Sequence, residues 1–247
     1  MWAIIISWIV SAVLIVVIGV LQGWRVTGHM SGLLIDARGR YSLTHLQVAL
    51  WTIVIMSLVS GTAAGRICHA LPPLDFDIPG EVLAVMGISL GSGVLTTAAK
   101  TNKDATRPES VAASMPGRFL KKGLTGDERE QWRPRLRQIY MQEEGTFADK
   151  VVDIAKFQNF LITLVLVLAY IAAVGQSLHT AGSASNFKAL PGFGGVFLTL
   201  LGVSHGAYVA AKLPPQTGSP DANLRERDEK VRNSAPAAAA QSARPDK

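Results

Sequence analysis

Residues 12–21 read AVLIVVIGVL, an unbroken apolar run with no alternation between apolar and polar residues. The run lies inside a longer stretch, Met1 to Trp24, that contains no Asp, Glu, Lys or Arg. Backbone groups cannot stay unpaired in lipid, so a membrane segment is either a helix or a strand of a closed barrel. Barrel strands alternate apolar and polar residues over about ten positions. The run therefore predicts an apolar helix that crosses a bilayer.

Four further stretches lack charged residues, and each is close to the roughly 20 apolar residues that a bilayer crossing needs. Only 17% of the 247 residues are charged, whereas a soluble domain usually carries about 25%. We predict an all-α integral membrane protein with five transmembrane helices, at 3–22, 46–64, 82–99, 158–176 and 193–211. The predicted segments are an N-terminal transmembrane segment (1–22), a cytoplasmic linker (23–45), a first hairpin (46–99), a basic cytoplasmic loop (100–156), a second hairpin (157–212) and a disordered cytoplasmic tail (213–247).

The distribution of Lys and Arg predicts the orientation. With the N-terminus outside, the inner segments 23–45, 100–156 and 212–247 carry 22 of the 24 basic residues, and only Arg66 and Lys188 lie outside. Cytoplasmic segments of membrane proteins are enriched in Lys and Arg. The sequence therefore predicts an N-out/C-in topology. Because this topology accounts for the sequence pI of about 9.6, we expect no nucleic-acid partner.

The two predicted hairpins resemble each other in sequence. LQVALWTIVIMSL and FQNFLITLVLVLA pair Gln47 with Gln158, an offset of 111 in numbering. The spans that follow both run from Pro-Gly to Ala-Ala-Lys, and there the offset in numbering is 112. One single-residue insertion therefore relates the units 43–100 and 154–212. Each unit has two spans, so both copies have the same orientation, as in a parallel repeat about an axis along the membrane normal.

Small residues recur at helical spacing in the second span of each hairpin. GISLG begins at Gly87 and GVSHG begins at Gly202, and in each motif two glycines are four residues apart. Helices in lipid associate by close packing over small residues. We therefore predict tight helix packing, either within one chain or between the subunits of a homo-oligomer. The predicted packing residues are Gly87, Gly91, Gly93, Gly202, Gly206, Ala207 and Ala211.

His205 is an ionisable residue inside a predicted span. It lies seven residues before Lys212, which is about 10 Å along a helix. Ionisable groups inside a membrane often mark functional sites, but the predicted spans contain no charged partner for a proton relay. We therefore favour a packing role for His205 over a proton-sensing role. The candidate functional polar residues are His205, Ser204, Ser89, Gln47 and Gln158.

The basic cytoplasmic loop contains the sequence QWRPRLRQIYMQEEG. A helix that begins near Pro134 would place Leu136, Ile139 and Tyr140 on one face. Such a helix could contact anionic lipid at the bilayer interface, dock a protein partner, or lie solvated over the end of the bundle. The basic residues that would face lipid or a partner are Arg133, Arg135 and Arg137.

The motifs DARGRYSL, EEG, KFQNF and GVSHGAY together resemble a family of small bacterial integral membrane proteins, over about residues 33–212. The resemblance implies the bacterial inner membrane as the location and carries no established activity or functional residues. We expect no enzyme activity, catalytic residue, cofactor or metal site, because the sequence holds no phosphate-binding loop, no HExxH motif and no cluster of carboxylates in a span.

Two functions agree with this sequence. The first, which we favour on sequence grounds, is a membrane anchor or scaffold whose basic loop docks a partner. The alternative is a homo-oligomeric channel or small-solute conduit, since channels can select with hydroxyls and backbone carbonyls. Its predicted lining comprises Thr52, Ser89, Ser92, Thr96, Thr97, Thr163, Ser204 and His205.

Overall fold

The computed structural model describes residues 2–106, 134–144 and 149–213, and these residues are mainly helical. The described residues contain five long helices: α1 (Trp2–Thr27), α2 (Leu43–Cys68), α3 (Gly80–Thr106), α4 (Ile154–Ala181) and α5 (Gly195–Lys212). Four of them, α1 to α4, are long and apolar enough to cross a membrane. The predicted helical class is confirmed, and each predicted span coincides with one of the five helices.

The helices extend beyond the predicted spans because a charged residue ends an apolar run without ending a helix. α3 continues past Lys100 to Thr106. α4 begins at Ile154, where the Asp153 side chain accepts a hydrogen bond from the N–H of Lys156 and caps the first turn. α3 and α4 therefore extend into both ends of the predicted loop, 100–156, whose boundaries stay a prediction. The tail after residue 213 lies outside the described residues.

α1 packs against one side of α2 at two glycines. A Cβ atom at Gly61 would lie 2.4 Å from the Cα atom of Trp8, and one at Gly65 would lie 2.6 Å from the Cα atom of Ile4. The indole N–H of Trp8 also donates to Ser57 Oγ (3.0 Å). Any side chain larger than hydrogen would separate the two backbones, so the α1–α2 contact depends on these glycines.

α2, α3, α5 and α4 form a ring of packed helices, each in contact with the next. Gln47 of α2 and Asn159 of α4 are hydrogen-bonded at a sequence separation of 112. Every buried residue of α4 corresponds at this same separation to a buried residue of α2, in a series that runs from Thr44 with Lys156 to Arg66 with Leu178. The two helices therefore turn corresponding faces toward the bundle interior. The sequence match of Gln47 with Gln158 is one position out of this register.

The α2–α3 and α4–α5 connections lie at the end of the bundle opposite Lys100 and Lys212. They contact each other at the same sequence separation. The N–H of Asp77 donates to Lys188 O (2.8 Å), and the N–H of Leu190 donates to Asp77 O (3.0 Å). These bonds make a parallel bridge between Asp77 and Ala189, whose sequence separation is the same as that of Gln47 and Asn159. We call this the loop end of the bundle.

Most of the predicted packing residues face away from the bundle interior. Within the described residues, no heavy atom of another element lies within 4 Å of a Cβ placed at Gly87, Gly91, Gly202 or Gly206, and Ala207 and Ala211 are exposed. Gly93 differs, because its Cβ would lie 3.1 Å from Thr44 Cγ2. These four glycines therefore make no close contact with another helix within the described part of the chain. The inward side of α3 carries hydroxyl side chains instead. Packing between subunits stays a prediction.

Candidate functional site

The ends of α3, α4 and α5 that carry Lys100, Lys156 and Lys212 form what we call the charged end of the bundle. Two stretches of the chain before α4, residues 134–144 and 149–153, cover this end. They pair with each other, since the N–H of Gln142 donates to Val151 O (2.9 Å). The pairing holds the next residue, Glu143, over the helix ends.

Three lysines surround the carboxylate of Glu143. Lys156 Nζ lies 2.5 Å and Lys100 Nζ lies 3.3 Å from Oε1, while Lys212 Nζ lies 3.4 Å from Oε2. The Glu143 side chain is 4% exposed and the Lys156 side chain is fully buried. Each lysine belongs to a different helix. One carboxylate therefore joins the ends of α3, α4 and α5.

Glu143 stays ionised at neutral pH. Burial alone would raise its pKa, but the three neighbouring lysine charges outweigh burial and hold the pKa well below the usual value for a glutamate. Two further carboxylates balance the other lysine charges. Asp36 lies 2.9 Å from Lys100, and Asp153 lies 3.6 Å from Lys212. The three lysines thus have three carboxylate partners.

A second group of ion pairs joins the chain before α2 to the chain before α4. Arg38 donates to Glu144 Oε1 (3.2 Å), and Arg40 donates to Asp149 Oδ1 (2.5 Å). Arg40 is 2% exposed and also donates to Gln142 O (3.1 Å). These buried arginines hold the covering stretches against the charged end, because a guanidinium in a buried position requires all of these acceptors.

Side-chain amides join α2, α4 and α5 in the bundle interior. Gln47 Nε2 donates to Asn159 Oδ1 (2.9 Å) and to Thr163 Oγ1 (2.7 Å). Ser204 Oγ donates to the same Asn159 oxygen (3.1 Å). Gln47 and Asn159, which occupy corresponding positions of α2 and α4, are each 1% exposed. The bundle interior is therefore polar at this level.

His205 lies next to this group, where α5 contacts α3. Its Nδ1 atom is 2.7 Å from Ser92 Oγ, and the residue is 2% exposed. The hydroxyl of Ser92 donates its one hydrogen to Ser89 O (3.0 Å). When the Ser92 hydrogen is given to Ser89 O, the ring donates from Nδ1 to Ser92 and Nε2 is an acceptor; when it is given to His205, Nδ1 is the acceptor and Nε2 carries the hydrogen.

Several buried polar atoms of the bundle interior have no hydrogen-bond partner among the described residues. An unsatisfied buried donor or acceptor is unfavourable by about 1–3 kcal/mol, and ordered water or a ligand normally satisfies such groups. Five of these atoms lie close to the amide group and His205, namely Gln47 Oε1, Asn159 Nδ2, Ser89 Oγ, Thr96 Oγ1 and His205 Nε2. We call the interior that contains them the polar core.

An aromatic cluster packs toward the loop end. The rings of Tyr170 and Phe193 are stacked with centroids 4.6 Å apart, and the centroid of Trp51 lies 5.7 Å from that of Phe193. Trp51 and Tyr170 are 1% and 2% exposed. The polar core thus lies between ion pairs on one side and packed aromatic rings on the other.

The structure brings together most of the predicted polar residues. Gln47, Ser89, Ser204 and His205 all lie in the polar core. Gln158 is exposed on α4, and its neighbour Asn159 occupies the buried position. Two of the predicted lining hydroxyls, Thr52 and Thr97, instead line a separate apolar cavity of about 1430 Å³ between α1, α2 and α3.

The predicted amphipathic helix in the loop is wrong where the chain is described. Residues Leu136–Ile139 form a short 3-10 helix, in which Leu136 is 63% exposed and Ile139 is 8% exposed, so the predicted apolar face is divided. Arg135 and Arg137 are exposed, while Arg133 lies outside the described residues. Pairing with the chain before α4 replaces the longer helix.

The charged end is the part of the site that sequence reasoning missed. In the sequence, Lys100 and Lys212 end the two copies of Ala-Ala-Lys, and their spacing does not identify a partner. Glu143 belongs to the EEG motif, and its place beside the lysines depends on how the chain folds back over the bundle. Two lysines that end the same Ala-Ala-Lys sequence, at an offset of 112 in numbering, are the available signal for a shared carboxylate partner.

No protein-family model, curated protein or solved structure matches this chain.

Proposed function

We propose that all five helices cross a bacterial inner membrane, with the N-terminus outside and the charged end in the cytoplasm. Four helices are long and apolar enough to do so. α5 has 18 residues, which at about 1.5 Å per residue gives roughly 27 Å, close to the ~30 Å hydrocarbon core of a bilayer. The proposed orientation places the many arginines and lysines around the charged end on the side where such residues are enriched.

We also propose that the hairpins α2–α3 and α4–α5 are two copies of one unit, related by an axis along the membrane normal. The support is one common register in three places. It relates the buried faces of α2 and α4, the bridge between Asp77 and Ala189, and the two lysines, Lys100 and Lys212, that bind Glu143. In such an arrangement both copies contribute polar groups to one central region.

The function that this geometry supports best is a gated conduit for a small polar solute or ion. The observation that carries the proposal is the set of polar atoms in the polar core that lack a partner among the described residues. Apolar side chains would pack these helices at lower free energy, because an unpaired polar group surrounded by lipid-facing helices is unfavourable. Water or a solute that passes between the helices would satisfy these atoms.

The gate of the proposed conduit is the carboxylate of Glu143. It binds the ends of three of the four helices that surround the polar core, so its release would free the charged end. The aromatic cluster of Trp51, Tyr170 and Phe193 closes the other side. The conduit is thus closed at both ends in this conformation.

Liposomes containing the purified protein test this proposal. Osmotic swelling with a panel of small neutral solutes, and leak of K⁺, H⁺ and Cl⁻, would be measured for wild type, Glu143→Ala and the neighbouring control Glu144→Ala. We expect Glu143→Ala to conduct at least one of these solutes severalfold faster than wild type and the control. If all three proteins, inserted in equal amounts, give the same flux rates as liposomes without protein, the conduit proposal is contradicted.

The second candidate is the scaffold. It is favoured by the exposed ridge of Arg135, Leu136 and Arg137 on the charged end, which suits an anionic lipid surface or an acidic protein partner. Replacing both arginines with alanine should abolish copurification of a partner, or binding to vesicles rich in anionic lipid, while membrane insertion is unchanged. Unchanged binding in both assays would count against the scaffold.

We also propose that the protein forms a homo-oligomer, which is compatible with either function. The glycines at 87, 91, 202 and 206 face outward, with open space around them among the described residues, as residues at a contact between subunits would. Gly206→Leu should lower the apparent mass of the protein in mild detergent. An unchanged mass would contradict a role for these glycines in a contact between subunits.

A further inference from the structure

Three cations converge on a single carboxylate at the charged end, although one lysine would suffice for an ion pair. Each of the three ammonium groups lies within 3.4 Å of a Glu143 oxygen. Two of the ammonium groups face Oε1, while Oε2 lies 3.4 Å from the third and has no hydrogen bond among the described residues. The lysine side chains are 11% exposed or less. The arrangement is that of a binding site for a carboxylate group.

The cations and the carboxylate belong to different parts of the fold. Lys100 and Lys212 are carried by the rigid helices α3 and α5, and Lys156 is in the first turn of α4. Glu143 lies instead in an irregular stretch that reaches the bundle from outside. The positions of the three lysines therefore do not depend on the stretch that carries Glu143. If Glu143 leaves, Asp36 still pairs with Lys100 and Asp153 with Lys212, but Lys156 keeps no carboxylate partner among the described residues, and an unpaired buried charge is strongly unfavourable.

We propose that Lys100, Lys156 and Lys212 form a binding site for a small carboxylate anion, and that Glu143 is the internal ligand which occupies it. A free carboxylate binds to the same ammonium groups when Glu143 is withdrawn, through charge-assisted hydrogen bonds. Binding requires no transport. Only one extension rests on the proposed conduit, namely that an arriving anionic solute displaces Glu143 and opens the charged end.

Replacing Glu143 with alanine creates the test. The change removes CH₂–COO⁻, a group the size of acetate, and leaves the lysines in place. The apparent melting temperature of the full-length variant in detergent would be compared in potassium acetate and in potassium chloride of equal ionic strength. We expect a melting temperature below that of wild type in chloride and an acetate-specific rise that grows with the logarithm of acetate concentration, as for a ligand that binds only the folded state. Wild type should melt at the same temperature in both salts.

Two control variants separate site occupancy from a general salt effect. Glu144→Ala removes the neighbouring carboxylate, which pairs with Arg38 and Lys103, and should show no difference between acetate and chloride. Glu143→Gln removes the charge but keeps the space filled, so acetate should not restore it. Formate in place of acetate should also act on Glu143→Ala, because it presents the same group.

The proposal is overturned if Glu143→Ala is equally unstable, or equally absent from membranes, in acetate and in chloride. Restoration by sulfate but not by acetate or formate would overturn the assignment to carboxylates. If acetate restores the melting temperature of Glu143→Ala but the protein gives no flux in liposomes, the binding site is supported and the conduit is contradicted. The failure of the site and the failure of the proposed function are therefore distinguishable.

Discussion

The two sides of α2 form interfaces of opposite character. Toward α1 the contact is dry and close, because Gly61 and Gly65 let the backbones approach and the indole of Trp8 is bonded to Ser57. Toward α4 and the bundle interior the contact is polar, and atoms such as Gln47 Oε1 have no partner in the described part of the chain. A helix that only needs to pack uses small residues. The polar side therefore carries the functional proposals.

The largest expected effect comes from breaking the ion pairs that close the polar side. Glu143→Gln leaves three buried lysines with one negative charge fewer, and removal of one partner from a buried ion pair typically destabilises a protein by about 3–5 kcal/mol. Thermal unfolding in detergent at neutral pH would measure the loss. A melting temperature equal to that of wild type would contradict the role of Glu143 in joining the helix ends.

The pH dependence of the same variant sharpens this prediction. The pKa of Glu143 is lower in the folded than in the unfolded chain, so its stabilising contribution is full above the unfolded value, about 4.3. It decreases as the pH falls below that value and is lost once the pH has fallen through the lower, folded value. Wild type should therefore lose its advantage over Glu143→Gln on acidification below pH ~4. A constant difference from pH 7 to pH 3 would contradict the assigned shift.

The dry side is tested by Gly61→Leu. A Cβ at this position would lie 2.4 Å from the backbone of Trp8, so α1 must move away, and overpacking of this kind typically costs about 1–3 kcal/mol. The matched control is Gly175→Leu on α4, because no described neighbour lies within 4 Å of its Cβ and it is not one of the glycines proposed for a contact between subunits. Unfolding in detergent should separate the two variants. Equal stabilities would contradict the α1–α2 contact.

The polar side is tested by a double-mutant cycle on Gln47 and Asn159. Gln47→Leu removes two hydrogen bonds, each worth about 0.6 kcal/mol on average in membrane proteins, so we expect a loss of about 1 kcal/mol. The double variant with Asn159→Leu should lose less than the sum of the two single losses, because the groups share a bond. Gln158→Leu, one position away and exposed, is the control and should be neutral. If the two single losses simply add in the double variant, the side chains of Gln47 and Asn159 do not interact, and the hydrogen bond between them is contradicted.

The smallest expected effect is at His205. His205→Gln keeps a hydrogen-bonding group beside Ser92, so a packing role predicts stability within about 0.5 kcal/mol of wild type and unchanged flux or binding. The measurement is the melting temperature together with liposome flux at several pH values. Proton sensing is indicated instead if the flux of wild type depends on pH and that of His205→Gln does not, while both proteins insert into the membrane in equal amounts.

The apolar runs predicted the helices because lipid forces a long apolar segment to bond its own backbone. They could not predict which side of each helix faces inward. Both sides of a membrane helix are apolar, and the pairs Gly61/Gly65, Gly87/Gly91 and Gly202/Gly206 all have a spacing of four residues. The sequence therefore does not show which of these glycines contact another helix. The contacts of α1 with α2 decide between them, and these depend on tertiary packing.

The charged end was harder to predict for a different reason. Lys156 and Glu143 lie in one polar segment whose composition suits solvent, and nothing local to either residue indicates burial. Only the repeated spacing linked Lys100 with Lys212. The polar core was partly predictable, since His205 and Ser204 are polar residues inside an apolar run. The shift from Gln158 to Asn159 follows from the one-residue difference between the sequence match and the packed register.

The most direct test of the central claim, that Glu143 closes a polar core which otherwise opens to water, is thiol labelling at Ser204. In a chain whose single cysteine, Cys68, is replaced by serine, Ser204→Cys would be treated in inside-out vesicles with a membrane-impermeant thiol reagent. Val203→Cys, 65% exposed on the outer surface of α5, is the control and should stay unlabelled. We expect slow labelling of Ser204→Cys with Glu143 present and faster labelling when Glu143→Ala is added. Equal labelling rates in the two backgrounds would contradict the account.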